Sequence, residues 1–118
     1  MDTLKVQLGP LDIDFRGTTV NVTPHMLDAL DRIRAALITV AQLRATTSYK
    51  GLAAATGGAY SVRGFGKALD AITIDCRDRN EPSLASLVVH SGGDKEVGDG
   101  FRGNAKGERD LCYAQWAL

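Results

Sequence analysis

From Leu27 to Ala41, apolar residues recur at steps of three and four: Leu27, Leu30, Ile33, Leu37, Val40 and Ala41. That spacing places them along one stripe of an α-helix. Thr23 can cap the helix, and Pro24 suits the first helical position, where its missing N–H has no intrahelical partner. Asp28, Asp31, Arg32 and Arg34 fall mostly off the stripe. Carried to Arg44, the helix would run roughly 30 Å at 1.5 Å per residue. Helices bury such stripes because each apolar side chain taken from water contributes about 1.5–3 kcal/mol.

The residues before this helix favour strands. Leu4, Val6 and Leu8 alternate with Lys5 and Gln7, and Gly9-Pro10 reads as a turn. Leu11, Ile13 and Phe15 alternate with Asp12 and Asp14, and Arg16-Gly17 marks a second break before Val20 and Val22. Period-2 alternation predicts an antiparallel β-meander over 1–23, one face buried and one wet.

After the long helix, Thr47-Ser48 offers an N-cap, and Tyr49, Leu52, Ala53 and Thr56 fit a short helix ending at Gly57-Gly58. A second helix from about Ser61 carries Val62, Phe65, Leu69, Ile72 and Cys76 on one face, expected to pack on Leu30, Ile33 and Leu37. Glu81-Pro82 ends it. Leu84 to His90 is rich in strand formers and leads into the turn Ser91-Gly92-Gly93-Asp94, with a short return strand near Glu96-Val97. Asn104 to Leu118 allows a last helix. The order matches a winged helix-turn-helix, in which the second helix of the pair meets the major groove and the hairpin is the wing. The expected fold is a single α+β domain: β-meander over 1–23, long helix over 24–45, winged helix-turn-helix over 46–103 and C-terminal helix over 104–118.

Composition excludes several classes. With 118 residues, 44% hydrophobic and 24% charged, disorder and a disulfide-dense scaffold are both disfavoured. The formal net charge is zero, so DNA binding would need a local patch. No apolar run approaches the roughly 18 residues that span a bilayer. Met1 to Lys5 shows no secretory pattern, and Cys76 and Cys112 lack CxxC spacing, which reads as a cytoplasmic chain with reduced thiols.

Two segments resemble a known family. Thr47-Ser48-Tyr49-Lys50-Gly51-Leu52-Ala53-Ala54-Ala55-Thr56-Gly57 is similar to the "TYGELAxxxG" segment in the DNA-binding domain of O6-alkylguanine-DNA alkyltransferases and alkyltransferase-like proteins. Val62-Arg63-Gly64-Phe65-Gly66-Lys67-Ala68-Leu69 resembles their recognition helix, "xRAVGxAL". The resemblance places Arg63 where that family has an arginine finger that helps extrude a base. The acceptor motif Pro-Cys-His-Arg is absent: Ile74-Asp75-Cys76-Arg77 keeps only a Cys-Arg pair, so alkyl transfer is not implied. The series from Tyr49 through Pro82, Leu87-Val88-Val89 and Gly98-Asp99-Gly100-Phe101 also resembles a winged-helix module of prokaryotic and phage proteins. That second resemblance implies a fold and no established activity.

Candidate sites follow from charge and exposure. Between Arg44 and Arg79, six cations (Arg44, Lys50, Arg63, Lys67, Arg77, Arg79) face Asp70, Asp75 and Asp78, while the flanking segments are net acidic. Phosphates need Lys and Arg, so Lys50, Arg63, Lys67, Arg77 and the wing's Lys95 are the expected duplex-DNA contacts, weak and mostly to backbone. Helical geometry sets Arg63, Lys67, Asp70, Ile74 and Asp78 opposite the buried stripe. Two acids there would sit badly against phosphates, which keeps open a protein partner or a homodimer built on Ile74 and Tyr60, with Trp116 nearby. Asp12 and Asp14 read as a wet strand face. His25 and His90 are isolated, no metal-ligand spacing or phosphate loop is present, and neither a cofactor nor catalysis is expected. The expected function is a non-catalytic DNA-binding or regulatory module, or else a small interaction module that binds a host or nucleic-acid-processing protein.

Overall fold

The computed structural model describes residues 6–57, 65–89 and 104–118, and their architecture is α+β. Strands β1 (Gly9–Ile13) and β2 (Thr18–Val22) form an antiparallel hairpin with Leu11 opposite Val20. Ile13, Val20 and Val22 point inward, while Asp12 and Asp14 stay exposed, as alternation requires. The turn closes through the Gly17 amide, which donates to the Ile13 carbonyl at 3.0 Å, and Gly17 takes φ +68, a conformation glycine adopts without strain. Gly9-Pro10 belongs to β1 and is not a turn. Leu8, expected to face inward, is 57% exposed. Leu4 and Lys5 lie outside the described residues, so the described part of the expected meander is a two-stranded hairpin.

Helix α1 (Pro24–Gln42) begins as its sequence indicates: the Thr23 Oγ1 accepts from the Met26 amide at 3.1 Å. Leu30, Ile33, Leu37 and Ala41 are fully buried. The helix stops two residues short of Arg44, which takes a left-handed φ of 52. Arg34, expected off the stripe, is 3% exposed. It lies four residues after Leu30 and three before Leu37, on the same stripe as both.

Strand β3 (Thr47–Ser48) leads into α2 (Tyr49–Ala55), whose N-cap Ser48 accepts from the Gly51 amide at 2.9 Å. Helix α3 (Phe65–Asp78) packs on α1, and Phe65, Leu69, Ile72 and Cys76 join Leu30, Ile33 and Leu37 in one core. Val62 and the expected start of this helix near Ser61 lie outside the described residues.

Leu84 to Leu87, expected as strand, form a 3₁₀ turn that touches α1, α3 and helix α4 (Ala105–Gln115). All four of its residues are buried. Ala85 and Ser86 are poor strand formers, and the tight turn directs Leu84 and Leu87 at the surrounding helices. Strand β4 (Val88–Val89) then pairs parallel with β3, Thr47 beside Val88. The expected wing, including Lys95, Glu96-Val97 and Gly98 to Phe101, lies outside the described residues. Helix α4 opens on an Asn104 cap and is tied to the end of α1 by the Tyr113 hydroxyl, which donates to the Ala45 carbonyl at 2.9 Å. Among the described residues, no helix is long and apolar enough to cross a membrane.

Candidate nucleic-acid interface

Helix α3 carries Lys67 and Arg77 among the expected contacts, and its surroundings define what it can reach. At roughly 100° per residue, Asp70, Ile74 and Arg77 share one side of the helix. The turn of the β1–β2 hairpin lies on that side. Arg16 Nε donates to Asp70 Oδ2 at 2.7 Å, and Arg77 Nη1 lies 2.9 and 2.7 Å from the two oxygens of Asp14. These two links bracket Ile74, which is 2% exposed and belongs to the core. The expectation that Ile74 projects outward as an interface residue is therefore corrected. A stripe opposite α1 is solvated only if nothing else packs there, and the N-terminal hairpin does. Trp116, the expected neighbour of an Ile74 patch, instead lies with its ring 5.9 Å from the Arg34 guanidinium.

The same hairpin changes the standing of Arg77. Its guanidinium is half exposed, yet Asp14 holds it, and Asp78 Oδ1 lies 3.9 Å from its Nε. Asp14, expected as part of a free wet face, is the partner in that ion pair. Lys50 and Lys67 are exposed, as a contact role requires. Arg63, Lys95 and Tyr60 lie outside the described residues.

Most other cations of the described residues are engaged within the chain. Arg16 holds Asp70, Arg32 holds Asp28, Arg79 holds Asp75, Lys106 holds Asp110, and Arg109 donates to the Ser86 carbonyl. Arg34 lies 2.9 Å from Glu81 Oε1 and 3.7 Å from Asp75 Oδ2. Three exposed cations have no ion pair or side-chain hydrogen bond among the described residues: Arg44, Lys50 and Lys67. All three fall in a stretch that has no Asp or Glu between Asp31 and Asp70. Charge counted over 44–79 dilutes that stretch with Asp70, Asp75 and Asp78. Arg44 is the residue that count passes over as a contact, and the acid-free run is the signal that singles it out.

The remaining reactive groups are structural. Burial pushes the Cys76 thiol up to about 11 and the Cys112 thiol up to about 12. Neither can supply a thiolate nucleophile near neutral pH. Cys112 Sγ lies 3.4 Å from the Ser83 carbonyl and Cys76 packs in the core, both beside the 3₁₀ turn. An open groove of about 500 Å³ runs between Asn80, Glu81, Pro82 and the Glu108, Leu111 and Ala114 side of α4. Its carboxylates are already used: Glu108 accepts from the Ser83 amide at 3.1 Å, and Glu81 pairs with Arg34. Among the described residues, no group of three His, Cys, Asp or Glu could hold a metal ion.

In comparisons with known proteins, no family model, no curated protein and no solved structure matches this chain.

Proposed function

We propose that this chain is a non-catalytic module that binds duplex DNA weakly, through phosphates and with little regard to sequence. The observation that carries the reading is the set of three exposed cations, Arg44, Lys50 and Lys67, in an acid-free stretch of a chain whose other described cations are engaged internally. Internal pairing leaves a charge little to offer a phosphate, whereas an unpaired surface cation releases counterions when it meets one. The order of α1, β3, α2, α3 and β4, with β3 and β4 paired, supports reading residues 46–89 as the helical part of a winged-helix unit. In this reading the hairpin over α3 keeps the Asp70–Arg77 side out of the major groove, so base edges are not read there. Contact falls to the α2 end and the start of α3. The rival protein-interface reading loses Ile74, its anchor, to the core.

Fluorescence anisotropy of the full chain with a short duplex, titrated over a range of salt, tests this. With about three to four phosphates neutralised, log K falls against log salt with a slope of about −2.7 to −3.6. Replacing Arg44, Lys50 and Lys67 together by Ala removes most of the affinity and flattens the slope, and duplexes of unrelated sequence bind alike. No binding by the wild type at low salt overturns the reading, as does a triple variant that binds like the wild type.

A further inference from the structure

Resting on that reading, we infer that Asp14 acts as a built-in substitute for a DNA phosphate on Arg77, so that the N-terminal hairpin holds one backbone-binding cation out of the interface. A single nitrogen, Arg77 Nη1, donates to both Asp14 oxygens, a charge-assisted contact of the kind a phosphate oxygen also accepts from arginine. The two residues are 63 apart in sequence, and only the folded hairpin brings them together. Both side chains remain about half exposed, 53% and 52%, so the ion pair sits at the surface within reach of a competing anion. Arg77 lies ten residues after Lys67 on α3, about 15 Å along the helix axis. The ten residues also leave the two positions about 80° apart around that axis, at roughly 100° per residue. Lys67 and Arg77 would therefore meet separate phosphates once Asp14 lets go. Asp78 stays 3.9 Å from Nε and leaves Nη1 unoccupied.

An exposed pair of this kind stabilises a fold very little, so its removal leaves the hairpin in place, anchored by Ile13, Val20 and the Arg16–Asp70 link. The experiment compares Asp14→Asn with Asp12→Asn. Asp12 is exposed on the same hairpin and has no ion pair among the described residues, so its replacement makes the same change in net charge without freeing a cation. Each substitution is made in the wild-type chain and in an Arg77→Gln background, with circular dichroism to confirm folding. Asp14→Asn tightens duplex binding up to about eightfold at 0.1 M salt and steepens the salt slope by about 0.9, the share of one added phosphate contact. Asp12→Asn leaves the slope unchanged. In the Arg77→Gln background the gain from Asp14→Asn shrinks to that of Asp12→Asn. Equal gains from the two substitutions, or a full gain that survives Arg77→Gln, overturn the inference while the DNA reading stands. No binding by the wild type and by Asp14→Asn overturns both.

Discussion

Arg16 Nε lies 2.7 Å from Asp70 Oδ2, joining the turn of the N-terminal hairpin to the middle of α3 across 54 residues of sequence. Its hydrogen bond to Asp70 raises the Arg16 pKa above the already high value of a free guanidinium. Arg16 also stacks on its neighbour Phe15, 5.3 Å from the ring centroid. The contact seats the hairpin over Ile74, which is buried, and beside Arg77, whose guanidinium stays half exposed.

Ile74 now serves as a packing residue, and its substitutions should behave accordingly. Ile74→Asp places an unpaired carboxylate under the hairpin and should destabilise the chain by more than about 3 kcal/mol. Ile74→Val removes one methylene and should cost about 0.5–1.5 kcal/mol. Urea denaturation measures both. A stable, folded Ile74→Asp variant would return this side chain to the surface.

The buried charges form a second testable unit. Arg34 bridges Glu81 and Asp75, and Asp75, fully buried, also accepts from Arg79 Nε at 3.0 Å. Arg34→Ala leaves two carboxylates short of a partner and should cost about 3–5 kcal/mol. Arg34→Met combined with Glu81→Gln should cost less, because the remaining Asp75 keeps Arg79. Trp116 is the only tryptophan and lies over Arg34, so its emission should shift in both variants along with the urea midpoint. A loss under about 1 kcal/mol for Arg34→Ala would show that water replaces the ion pairs cheaply.

Alkaline pH should weaken the fold through its two thiols. An unfolded thiol ionises from about pH 8.5 upward. Burial keeps folded Cys76 protonated to about 11 and folded Cys112 to about 12. Below pH 8 both states are neutral and nothing is lost. Above it the unfolded chain sheds protons that the folded chain retains, so stability falls as pH rises through that window. Thermal melts across this range should show Tm declining, and Cys76→Ala with Cys112→Ala should flatten the decline while lowering Tm overall. Parallel declines in the two proteins would assign the loss to other groups.

Much of the fold was legible because its signals are local. Thr23-Pro24 and Ser48 mark helix starts within a few residues, and the caps form where those residues stand. The Leu30-Ile33-Leu37 stripe needs only the helical period to be recognised. For the candidate interface, Lys50 and Lys67 were legible as exposed cations, since a charged residue off an apolar stripe is normally solvated.

Other features depend on segments far apart in the chain. Arg34 is expected off the stripe because a charge at a buried position needs partners, and those partners, Asp75 and Glu81, arrive from the other helix and its exit. Whether Ile74 is covered and whether Arg77 is paired depends on where the N-terminal hairpin docks, which no pattern within α3 records. Within Leu84 to His90, read as a strand, the β-branched Val88 and Val89 do pair in β4, whereas Leu84 to Leu87 are enclosed by three helices and form a 3₁₀ turn. Sequence by itself therefore determined the α+β class, the helix starts and the buried stripe of α1, because backbone capping and side-chain period act over one or two turns. Tertiary structure alone decided which cations remain available to a partner, because an ion pair forms only where folding brings opposite charges within a few ångströms of each other.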